Sequence, residues 1–146
     1  LFIIHYSLFV IKNMPWLVKS DPETYGWKEF VKDKTTSWDG VRNYAARNHM
    51  KAMKKGDNVL FYHSGNESAV VAIAKVNKEF YNDPTSENET WASVELKSGE
   101  VLKNPVSLSK IKADNRLKEM MLVKIGRLSV MPVTQEEYDI ILEMGK

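Results

Sequence analysis

The chain contains no cysteine. That single absence excludes disulfides, thiol nucleophiles and thiolate metal sites, and it accords with a reducing compartment. Histidine is scarce as well, with three copies at His5, His49 and His63. No HxH, HExxH or acidic cluster stands at ligand spacing, so no metal site is expected. The sequence also lacks a GxSxG nucleophile turn and a glycine-rich phosphate loop, which removes serine-hydrolase chemistry and nucleotide cofactors. No cofactor of any kind is therefore expected. Long apolar runs are missing too. The opening stretch LFIIHYSLFVI is too short to cross a bilayer, which takes about 20 such residues, and it has neither the basic start nor the small-residue cleavage site of a signal peptide. No membrane partner is expected.

What is present describes an ordinary globular domain. At 146 residues, 43% hydrophobic and 27% charged, the chain is long enough for one domain with a real core. The net charge of +2 hides an uneven distribution. From Lys12 to Ser64 there are ten Lys/Arg against six Asp/Glu; from Gly65 to Glu100 there are three against seven. A basic first half beside an acidic middle points to one positive face, the kind a phosphate backbone finds, although chance clustering on a solvated surface gives the same counts. Residues 1–13 read as an apolar extension outside the functional domain, which starts at Met14. Such a strip needs cover, from the domain wall or from self-association with a second copy.

Along the chain, short strand candidates alternate with small helices. Trp16 to Lys19 is an apolar strand stopped by Asp21-Pro22. Gly26 with Glu29 opens a helix, and Thr35 to Trp38 is a strand turned by Asp39-Gly40. Asn43 to Met53 has helical spacing, with Gly56 ending it. Val59 to His63 and Ala69 to Tyr81 are strong strands around a Ser-Gly-Asn turn. Trp91 to Leu96 and Val101-Leu102 flank Ser98-Gly99, which predicts a hairpin there. Thr134 and Glu137 have capping-box spacing for a final helix. The fold class is α+β, a mixed β-barrel of about five to six strands with short peripheral helices.

Blocks along this framework carry a family likeness. MPWLVKSDP, WDGVRNYAARNHMKAMKKGD, LFYHS, FYNDPT, PVSLSKIK and RLSVMPV occur in one order from Met14 almost to the C-terminus. Together they resemble the EVE domain family, most closely its thymocyte nuclear protein branch. The resemblance implies a PUA-like fold related to readers of methylated adenine, a binding role with modified cytosine as the proposed ligand of the branch, and no catalytic residues. It implies a nuclear protein if the source is a eukaryote, and a cytoplasmic one associated with nucleoid or RNA if it is a prokaryote. Two departures stand out. The family usually has Ser-Glu-Pro where this chain has Ser20-Asp21-Pro22, and it commonly carries a glycine near the start of the central strand, where this chain reads Ser68-Ala69-Val70-Val71-Ala72.

A reader of a modified base in DNA or RNA, whether cytosine or adenine, must hold phosphates and offer a flipped base a flat, partly apolar slot. Trp16, Trp38, Tyr62 and Trp91 are the flat candidates, with Trp16 and Trp38 favoured as pocket walls; any single tryptophan in a small barrel is more commonly core. Trp27 is assigned to helix packing. Lys19, Ser20, His63 and Ser64, at strand ends, supply donors and acceptors to a base edge. Arg42, Asn43 and Arg47 make a polar cluster at a helix start, suited to phosphate, with Lys51 continuing the basic face. A lone strand-end histidine such as His63 is more often a structural hydrogen-bonder than a catalyst. The leading alternative is an RNA-processing enzyme or nuclease using His63 with Lys19, Arg42 or Asp39; a protein-interaction module docking through the N-terminal run ranks last.

Overall fold

The computed structural model describes residues 14–146. The apolar extension at 1–13, and self-association through it, lie outside the described residues.

Strand β1 (Trp16–Ser20) is buried on both faces through Val18, which explains its unbroken apolar run. The Asp21 carboxylate accepts the Glu23 N–H and, with Pro22 in the first turn, starts the short helix α1 (Pro22–Tyr25). Helix α2 (Trp27–Asp33) follows at once; Glu29 reaches back to the Gly26 N–H as its spacing predicts. Lys34, at φ 67, ends that helix and turns the chain into β2 (Thr35–Trp38). Helix α3 (Tyr44–Ala52) is capped by Asn43, whose side chain accepts the Ala46 N–H at 2.9 Å. Strands β3 (Asn58–His63), β4 (Ala69–Asn82) and β5 (Ala92–Ser107) form a continuous meander. Helix α4 (Leu108–Ala113), a 3₁₀ turn, helix α5 (Met121–Lys124), β6 (Val130–Pro132) and helix α6 (Gln135–Met144) complete the chain. Helix α6 carries the expected capping box between Thr134 and Glu137.

The six strands make one mixed sheet in the order β2-β5-β4-β3-β1-β6, with β1 and β3 parallel. β5 and β6 are separated by three strands in that order, yet both pack against α3. The sheet therefore curls, and α3 fills the seam with Ala46 and Met50, four residues apart on its buried face. The α+β class, the strand number and the peripheral short helices are as the sequence implied.

One expected turn is absent. Ser98-Gly99 lies inside β5, which runs without a break opposite β4. Ala72 faces Val101 while Ala74 faces Ser98, so Ile73 of β4 opposes both Gly99 and Glu100 of β5, which is a β-bulge. Glycine is needed there because a Cβ on Gly99 would lie 2.5 Å from the Ile73 carbonyl oxygen. The real hairpin loop spans residues 83–91.

Candidate nucleic-acid interface

Strand pleating decides which candidate residues can meet. Neighbours in a strand tend to face opposite sides, and Lys19 and Ser20, like Tyr62 and His63, fall in different environments. The structure accordingly divides the expected pocket set into four environments.

Ser20 and Trp38 come together in an open cavity of about 490 Å³, with Thr24, Tyr25, Thr36, Ser37 and Asp39. Trp38 is half-buried and held from two sides. Its ring meets Phe61 at 5.8 Å and Tyr25 at 6.5 Å, both edge-on. Tyr25 donates its O–H to Asp33 at 2.8 Å. Burial lifts the Tyr25 phenol above its ordinary value, against a hydrogen bond from Thr36 and with help from Asp33, so it stays protonated. The Ser20 hydroxyl donates to the Tyr25 carbonyl, which leaves its lone pairs free to accept. The lining is therefore hydroxyls, one carboxylate and aromatic rings, with no cation. Of this lining, Thr24, Tyr25, Thr36, Ser37 and Asp39 were not among the candidate base-pocket residues. Alternation along β2 from Trp38 could have found Thr36; nothing local marks Tyr25.

Lys19, Tyr62 and Ser64 line a separate cleft of about 260 Å³ with Lys112 and Gly126. Lys19 donates to the Gly126 carbonyl at 2.6 Å and lies over the Tyr62 ring at 5.7 Å, and burial lowers its pKa.

Trp16 is a core residue. It is 5% exposed, and its indole N–H donates to the buried Asp57 carboxylate at 2.8 Å. Asp57 also accepts the Met14 and Lys54 N–H groups, a satisfied buried acid that ties β1 to the chain before β3. His63 is likewise turned inward. Its Nε2 accepts the Trp27 N–H at 3.1 Å, which pins the start of α2 to β3, and its Nδ1 lies 3.4 Å from Glu67. Accepting at Nε2 requires the neutral tautomer with the proton on Nδ1. Trp27 packs on Phe30 and Phe61, in line with its helix-packing assignment.

Trp91 does not join the cavity but the arginine cluster. Arg42 forms an ion pair at 2.8 Å with Asp83, whose side chain is fully buried, and donates to Thr85. Asp83 also accepts the Gly40 N–H, so one carboxylate clamps the turn after Trp38 to the 83–91 loop. Burial alone would raise the Asp83 pKa; hydrogen bonds from Thr85, Arg42 and Gly40 outweigh it and hold the pKa at about 2. Arg47 donates to Asn48 and to the Thr90 carbonyl, both neutral acceptors. Lys51, one turn on, is exposed and lies over Phe80. Arg42 and Asn43 thus stand at the start of α3, with Arg47 one turn in and Lys51 in its last turn.

Comparison with known proteins identifies the family of the chain as a whole. Residues 15–144 match the family model described as the EVE domain. Human thymocyte nuclear protein 1 is 34% identical over 170 residues, covering 92% of this chain and 76% of its own length. An Agrobacterium tumefaciens protein, Atu2648, is 41% identical, with a TM-score of 0.88 over 90% of this chain and 92% of that one. The human THYN1 protein, solved in complex with DNA containing 5-methylcytosine, is 33% identical, with a TM-score of 0.84 over 92% of this chain and 98% of that one.

Proposed function

The chain belongs to the EVE domain family, and on that premise we propose that it is a non-catalytic nucleic-acid reader that receives a methylated base in the cavity of Ser20 and Trp38. The observation that carries this reading is the likeness, across nearly the whole domain, to a protein solved with 5-methylcytosine DNA. The chemistry of the cavity supports it. A cytosine amino group offers two donors, and Ser20 Oγ and Asp39 are acceptors on the wall. The absence of a cation from the lining favours a neutral base inside and the phosphates outside, towards Arg42, Arg47 and Lys51. Stacking on Trp38 contributes roughly 1–3 kcal/mol, comparable with the few kcal/mol needed to unstack a base, so backbone contacts decide whether a duplex is bound.

Methyl discrimination has a ceiling. Burying one methyl against Trp38 or Tyr25 is worth about 0.8 kcal/mol, roughly fourfold in affinity. A neutral 5-methylcytosine brings no cation to raise that figure. The inward-facing His63 supports a binder over a nuclease, because the side chain is buried and its Nε2 already accepts the Trp27 N–H.

The test is a titration of paired DNA and RNA oligonucleotides, single-stranded and duplex, differing in one methyl on cytosine or adenine. Wild type should prefer the methylated cytosine about fourfold. Trp38→Ala should abolish the preference and most of the affinity, whereas Trp27→Ala should lower Tm and keep the preference. An unchanged preference in Trp38→Ala places the reading surface elsewhere. Bound nucleic acid should stay intact with added divalent metal; cleavage lost in His63→Ala would favour the nuclease instead.

A further inference from the structure

Near the cavity in sequence, four side chains form a surface stack. Arg42 lies over the Trp91 ring at 5.5 Å, Trp91 stacks on Tyr44 at 5.1 Å with a 34° tilt, and Arg47 lies over Tyr44 at 5.0 Å. With both neighbours in place, Tyr44 is still 62% exposed. Arg42 is neutralised by Asp83, but among the described residues no carboxylate pairs with Arg47. The stack therefore presents open aromatic surface beside an uncompensated positive charge. It is also tied to the cavity: Asp83 holds both Gly40 and Arg42, and Trp38 precedes Arg42 by four residues, a reach of at most about 14 Å.

We propose that Tyr44 and Trp91 form a stacking platform for the nucleotide that flanks the base in the cavity, with Arg47 holding its phosphate. The occupant is a nucleobase because every base offers a flat face, and ring stacking with an adjacent guanidinium is the chemistry of sequence-tolerant strand binding. The platform rests on the reader function for its ligand but uses different residues. It sets affinity for the strand, while the cavity sets preference for the methyl.

The probe is single-stranded DNA of about nine nucleotides, inside the site size of such binders, with one central 5-methylcytosine or cytosine. Tyr44→Ala should weaken binding to both strands by about tenfold, leave the methyl preference and the salt dependence unchanged, and be rescued by Tyr44→Phe. Arg47→Ala should flatten the salt dependence by about one phosphate. Replacing one nucleotide next to the central base by an abasic residue should weaken wild type and have little further effect on Tyr44→Ala, because both changes remove the same contact. Affinity within twofold of wild type in Tyr44→Ala, or full additivity with abasic residues on both flanks, overturns the platform. Strand binding without methyl preference sinks the reader function and leaves the platform standing. No binding by wild type sinks both.

Discussion

Two buried acids show how single residues organise this domain. Asp57 accepts three N–H groups, one of them from the Trp16 indole, so its removal strands a buried donor. Asp57→Ala should cost about 1–3 kcal/mol, read as a lower urea midpoint with an unchanged slope. Asp83 carries a pH dependence. Its folded pKa of about 2 lies below the unfolded value near 3.9, so the unfolded chain takes up a proton first as the solution is acidified. The stability it contributes is complete above about pH 4 and is lost as pH falls towards 2. A Tm series from pH 5 to pH 2 should fall more steeply for wild type than for Asp83→Asn. Equal slopes would mean that the Arg42 clamp adds nothing.

Among the elements, the long β4–β5 pair depends on its bulge. Gly99→Ala places a methyl against the Ile73 carbonyl, a backbone atom that cannot swing aside. Overpacking of this kind costs about 1–3 kcal/mol, and the measured quantity is the unfolding free energy. A loss below about 0.5 kcal/mol would show that the bulge relaxes freely. Helix α3 has the opposite character: one face fills the sheet seam while the other presents Tyr44, Arg47 and Lys51. The start of β4 shows a third device. Ser68 sits at φ 36 and donates to the Gly65 carbonyl, holding with a side chain a backbone shape that glycine takes freely. Ser68 lies at the Lys19–Tyr62 cleft instead of the Trp38 cavity.

For the molecule as a whole, the acidic and basic halves meet through Asp83, which joins the 83–91 loop to the turn before α3. Among the described residues no helix is long and apolar enough to cross a membrane. Residues 1–13 precede the family match, which begins at residue 15. Their deletion should leave far-UV circular dichroism and cooperative unfolding in place, and an unfolded deletion variant would make them part of the core.

Local order along the chain determined a good deal. Strand-helix alternation, the caps at Asn43 and Thr134 and the basic run through α3 depend on neighbours three or four residues apart, so they were legible without a fold. The ordered motif blocks also carried the family. Tertiary structure decided which residues gather at the candidate site. Trp16 and Trp38 look alike in sequence, each beginning or ending a short strand, yet a carboxylate 41 residues away draws Trp16 into the core. Trp38 instead faces open space between Phe61 and Tyr25. Ser98-Gly99 reads as a turn for the same reason: glycine serves turns and bulges alike, and only the partner strand's Ile73 carbonyl distinguishes them. Burial and close approach depend on atoms far away in sequence, and a local pattern contains no information about which of them will arrive.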